Sequence, residues 1–165
     1  DLNTSQIGVV RKALVPPTYK EGELDASSVL FAQSIRVLDT IPDEEAMFVL
    51  GDVKVTPNIT RSLAPGQPVR LYYQVYNVAL DQSTMNPSLS VVYQLLKNGE
   101  VLRETTDSGG ESIQFFSGQR VVMLRELNVT GVPPGAYVIR IKVSDQISGK
   151  NLELDESFLI EAQKG

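Results

Sequence analysis

Val69-Arg70-Leu71-Tyr72-Tyr73-Gln74-Val75-Tyr76 is the stretch on which the reading of this chain turns. Val69, Leu71, Tyr73 and Val75 fall on one side of an extended backbone, and Arg70, Tyr72, Gln74 and Tyr76 on the other. Successive side chains of a strand point to opposite faces, so strict alternation marks a strand with one dry face. The preceding Ala64-Pro65-Gly66-Gln67-Pro68 is a turn, because proline presets φ and glycine accepts positive φ.

The same period recurs downstream. Leu89, Val91, Tyr93 and Leu95 alternate with Ser90, Val92, Gln94 and Leu96. Asn98-Gly99 follows between apolar residues, the strongest short-range hairpin signal, since both central positions of a type I′ turn need positive φ. Residues 105–118, with Asp107, Ser108, Gly109, Gly110 and Gly118, read as loop-rich. Residues 119–129 read as a strand with two competing phases, Val122 and Leu124 against Met123 and Leu127, which a bulge would reconcile. Pro133-Pro134-Gly135 breaks the chain. Tyr137, Ile139, Ile141 and Val143 then alternate with Val138, Arg140, Lys142 and Ser144, and Leu152, Leu154, Phe158 and Ile160 close the pattern after a Ser148-Gly149 turn. About seven strands separated by regular turn signals read as an all-β protein, an antiparallel β-sandwich.

The first fifty residues differ. Residues 7–15 are apolar and β-rich up to Pro16-Pro17, and residues 1–15 read as the last strand of a preceding domain or as a chance similarity to residues 145–158. Residues 28–38 fit either a helix, through Phe31, Ile35 and Leu38, or a strand, through Val29, Phe31 and Val37. Pro42-Asp43-Glu44-Glu45 could open a helical turn. The expected organisation is an N-terminal extended appendage or linker over residues 1–51, packing on a sandwich over residues 52–165.

Composition narrows the chemistry. The chain has 165 residues, 42% of them hydrophobic and 21% charged, which suits one globular domain with a real core. It has no histidine, cysteine or tryptophan, which removes Ser-His and Cys-His pairs, disulfides and the usual zinc ligands. Twenty acidic residues against fifteen basic ones give a net charge of −5, with no basic run to neutralise phosphates, so nucleic acid is not an expected partner. No apolar run reaches the roughly 18 to 20 residues of a membrane span. A start at Asp1 with no visible signal peptide suggests a piece of a longer precursor.

Pro133-Pro134-Gly135-Ala136-Tyr137, opening an alternating strand that runs to Asp145 and a Ser-Gly turn, resembles the last two strands of bacterial immunoglobulin-like domains. Residues 50–57 with 66–77, and the linker-like residues 15–32, look like the C-terminal region of secreted Acidobacteria-type proteins carrying a von Willebrand factor A-related domain. The resemblance implies an immunoglobulin-like, extracytoplasmic (periplasmic, cell-surface or secreted) β-sandwich, with Tyr137 as a tyrosine corner tied to upstream backbone. It implies little about activity. Tyr93 would fill the core where antibody-type domains carry tryptophan.

The remaining polar residues supply no active-site pattern. Asp43, Glu44, Glu45 and Asp52 cluster in sequence, and an oxygen cage of that kind could hold calcium, but no EF-hand spacing occurs and a solvated acidic loop is the favoured reading. Ser27 and Ser28 near Lys20, and Ser148 near Lys150, lie outside a Ser-x-x-Lys frame. Gly109-Gly110 lacks the Lys-Ser/Thr of a phosphate loop. Asn3, Asn58 and Asn128 head glycosylation sequons, relevant only in a eukaryotic secretory host.

Neither an enzyme nor a cofactor or metal is therefore expected. Tyr72, Tyr76, Val92 and Leu96 should point away from the core and form an apolar interaction surface, or be covered by the N-terminal segment. The expected function is a structural or protein-binding module whose partners are neighbouring domains or another protein. The alternative is a carbohydrate-binding module using Tyr72 and Tyr76 as its platform.

Overall fold

The computed structural model describes residues 19–38, 49–50 and 53–163. These form twelve strands and no helix. In chain order they are β1 (Asp25–Ala26), β2 (Leu30–Val37), β3 (Val49–Leu50), β4 (Val53–Pro57), β5 (Ser62–Leu63) and β6 (Val69–Tyr76), then β7 (Leu89–Lys97), β8 (Glu100–Asp107), β9 (Ile113–Ser117), β10 (Arg120–Leu127), β11 (Gly135–Asp145) and β12 (Asn151–Ile160). The expected strand at residues 7–15, the possible helical turn at Pro42 and the carboxylates Asp43, Glu44, Glu45 and Asp52 lie outside the described residues.

Two sheets stack. One has seven strands in the order β3-β4-β2-β6-β10-β9, with β1 also paired to β6; the other has five in the order β5-β12-β11-β7-β8. The described pairings are antiparallel, except that β5 runs parallel to β12. Alternation explains the stacking. Val69, Leu71, Tyr73 and Val75 of β6 share one buried cluster with Val91, Tyr93 and Leu95 of β7 and Tyr137, Ile139, Ile141 and Val143 of β11. Facing residues from the two sheets thus fill a single dry layer, a β-sandwich.

Three local readings change. Residues 28–38 hold a strand, β2, not a helix: Val29 just before it and Phe31 within it are buried in the shared core, and β2 pairs with both β6 and β4. The extended reading wins because both neighbours supply backbone partners and the core takes its alternate side chains. The expected boundary at residues 51/52 therefore does not divide the sheet: β2, from the first segment, lies between β4 and β6. Residues 105–118 are not all loop, since Ile113-Gln114-Phe115-Phe116-Ser117 form the edge strand β9.

The two phases of β10 have a different cause from the bulge expected there. Its pairing with β6 is unbroken, and the register shift lies on the β9 side, where Val122 opposes Phe115 and Met123 opposes Ile113. Val121, Met123 and Leu127 join the shared core, while Leu124 packs on a second cluster of Ala32, Val53 and Val55 on the sheet's outer side. Both faces of this strand are covered, so both phases are apolar. Glu156, which interrupts the apolar phase of β12, is half-buried and paired with Arg61 at 2.6 Å.

The Asn98-Gly99 hairpin forms with φ of 53° and 84°. A Cβ on Gly99 would meet nothing within 4 Å, so a substitution there is felt only through the backbone. Gly99→Ala is expected to cost about 1–2 kcal/mol, the penalty of a left-handed L-residue. Gly109→Ala, in equally open space but without positive φ, should leave the urea midpoint unchanged. Equal midpoints for both variants would contradict the turn.

Candidate functional site

Tyr72, Tyr76, Val92 and Leu96 do not come together. Tyr72 and Tyr76 lie on β6 in the seven-stranded sheet, and Val92 and Leu96 on β7 in the five-stranded one. The outward faces of two stacked sheets point in opposite directions, so the single apolar stripe expected from sequence does not exist. Leu96 is moreover buried, at 6% exposure. Sequence period reports which way a side chain points relative to its own strand, not which sheet that strand joins.

Nor is the tyrosine pair an open platform. The Gln74 Nε2 amide donates to the Tyr72 hydroxyl at 2.6 Å, and the Tyr76 hydroxyl donates to Gln74 Oε1 at 3.2 Å. The Tyr19 ring packs on Tyr76 with centroids 4.5 Å apart, and Tyr72 belongs to the second apolar cluster. Tyr137 is buried, and its hydroxyl donates to the Pro133 carbonyl at 2.6 Å. The Lys97 ammonium donates to the same hydroxyl at 3.3 Å and lies over the ring.

The polar groups that sequence reasoning missed lie inside and at one end of the sandwich. The hydroxyls of Tyr73 and Tyr93 meet across the core at 2.9 Å, and the Tyr93 hydroxyl reaches Ser112 Oγ at 3.0 Å. Ser112 is fully buried; its backbone N–H donates to Asp107 Oδ2 at 2.6 Å, and the Glu111 N–H donates to Oδ1 at 3.0 Å. Arg125 stacks over the Tyr93 ring and pairs with Glu111 at 2.9 Å. The signal for this network was present in two tyrosines on apolar strand phases, because a buried phenol requires a partner.

Asp145 is the matching carboxylate on the other side of β7. It is 1% exposed and accepts the N–H groups of Ala79 at 2.8 Å and Ile147 at 3.0 Å, and the Ser148 hydroxyl at 2.7 Å. Ser148 is thereby committed to the turn, and the Lys150 ammonium donates to the Gly22 carbonyl, so the two do not form a pair. Asp155 pairs with Arg140 at 2.7 Å. Among the described residues no group of three or more acidic side chains is placed to hold a metal ion.

Chemically, these groups position loops. Burial alone would raise the pKa of Asp107 and Asp145, but the donated hydrogen bonds outweigh it and hold both below the usual carboxylate range. Burial pushes the Tyr73 phenol well above its ordinary range and raises that of Tyr93.

No family model matches the chain, and no curated protein sequence matches it. Among solved structures, it is similar to Pseudomonas fluorescens alkylpurine DNA glycosylase AlkC bound to DNA containing an abasic site analog, at a TM-score of 0.40 and 17% identity over 63% of this chain and 28% of that one. At that level the likeness bears on neither fold nor activity.

Stability should therefore fall at both ends of the pH scale. A depressed carboxylate stabilises the fold above the unfolded value of about 3.9 and loses that contribution as pH drops through the lower folded value. A raised phenol contributes fully below the unfolded value of about 10, and that contribution is lost as pH rises towards the folded value. Melting temperature should plateau between these limits. Asp145→Asn is expected to cost about 1.5–3 kcal/mol at pH 7 and to flatten the acid limb. An unchanged acid limb in this variant would show that Asp145 is not a source of it.

Proposed function

We propose that this chain is a non-catalytic, immunoglobulin-like module of a larger extracytoplasmic bacterial protein, with a structural or protein-binding role. The observation that carries this reading is the strand order. Short β5 runs parallel to β12 and leads into a β12-β11-β7-β8 sheet, while β4, β6, β10 and β9 lie opposite. That order supports the immunoglobulin-like reading, in which β2 would be an addition between the first strand and β6. The Tyr137-to-Pro133 hydrogen bond at the start of β11 supports it as a tyrosine corner. The buried carboxylates support a structural role, because Asp107 and Asp145 are both committed to the backbone of loops.

The resemblance to secreted von Willebrand factor A-related proteins points to neighbouring domains of the same precursor as partners. The described residues contain no helix long and apolar enough to cross a membrane. Hydrogen exchange tests the role directly, comparing this chain alone with the full protein that contains it. Added protection on the outer face of one sheet in the longer protein is expected. Identical exchange at every amide would overturn a binding role.

The tyrosine corner has its own test. Tyr137→Phe is expected to lower stability by about 1 kcal/mol, the net value of one neutral hydrogen bond, in urea titrations. A neutral effect would remove this support for the immunoglobulin-like reading.

A further inference from the structure

At the end of the sandwich where β7 begins and β8 ends, the loops form an open cleft of about 410 Å³ between residues 86–89 and 108–110, above Ile113 and Phe116. That volume lies within the roughly 300–1,000 Å³ of small-molecule sites. Its walls are fixed. Leu80 bridges to Pro87, the Asp81 N–H donates to the Asn86 carbonyl at 3.0 Å, and the Gln146 N–H donates to the Ser88 carbonyl at 2.9 Å. On the other side, Asp107 holds the N–H groups of Glu111 and Ser112, and the Ile113 N–H closes on the Gly110 carbonyl at 2.9 Å.

The lining is chemically selective. None of the described residues facing the cleft is charged. Pro87, Leu89, Ile113 and Phe116 supply an apolar floor with one aromatic ring. Asn86, Ser88 and Ser108 are exposed, and their side chains make no hydrogen bond among the described residues. Each of these three groups both donates and accepts.

We propose that this cleft binds a neutral saccharide. A hexose presents a C–H face that packs on a ring and apolar floor, and a rim of hydroxyls that, like the cleft's own side chains, donate and accept. An anionic or cationic ligand would find no counter-charge here. Rigid walls lower the ordering cost of binding, which a weak, hydroxyl-rich ligand needs. The site is separate from Tyr72 and Tyr76, and it does not depend on the module reading above.

The test uses the whole chain, isotope-labelled, titrated with neutral gluco-, manno- and N-acetylglucosamine trisaccharides up to about 10 mM. The expected result is saturable amide shifts confined to residues 86–89 and 108–116. Asn86→Ala and Ser108→Ala should each weaken binding about fivefold or more, the loss of one hydrogen bond. Phe116 packs against the core, so Phe116→Leu, which keeps its apolar bulk, replaces an alanine variant; it should retain the native spectrum and weaken binding. The proposal is overturned if no trisaccharide shifts these amides, if binding survives Asn86→Ala unchanged, or if the shifts map to Tyr72 and Tyr76. It is equally overturned if neutral extended peptides saturate the same amides and the sugars do not.

Discussion

Two phenols facing each other in a dry space set the terms for this structure. Tyr73 and Tyr93 come from different sheets, and neither hydroxyl can reach water. An unpaired buried hydroxyl would cost about 1–3 kcal/mol, and the observed stacking of the sheets, in which the two hydroxyls meet, spares that cost. The chain of partners then runs outward through Ser112 to the carboxylate of Asp107. Core packing and loop placement are thereby one problem. The offset that satisfies the tyrosines also brings the 107–112 loop down onto the end of the sandwich.

Much of the fold was legible in the residues. Alternation at Val69–Tyr76, Leu89–Lys97 and Gly135–Asp145 identified the central strands and their buried faces, because a period of two is a direct statement about burial. Asn98-Gly99 located its hairpin, because few sequences tolerate that backbone. What period cannot state is pairing. It left β6 and β7 as neighbours in one imagined surface, whereas they face each other across the core. It also left Ile113–Ser117 as loop, since Gln114 is the extra residue of a register shift and spoils the alternation. β2 was ambiguous for a related reason. Leu30 and Ala32 serve the outer cluster while Phe31 serves the core, so its apolar residues are consecutive rather than alternate.

The site was less legible than the fold. Tyr137 could be named from its Pro-Pro-Gly context, because the motif is local. Asp145 was legible as a turn residue, because an Asp at the head of a turn caps nearby backbone N–H groups, as it does those of Ile147 and Ser148, but its hold on Ala79, and the hold of Asp107 on the loop after it, depend on the whole topology. The loop-end cleft is further still from sequence. Asn86, Ser88 and Ser108 are ordinary loop residues until β7 and β8 bring their ends side by side.

The placement of β2 also decides which seam holds the flank. In the finished sheet β4 does not pair with β6; β2 lies between them. β2 pairs with β4 from Ala32 to Val37 but with β6 only at Leu30 and Phe31. The flank of the sheet is therefore tied to its centre by a short ladder contributed by an earlier segment, and that short seam is where local opening would part it.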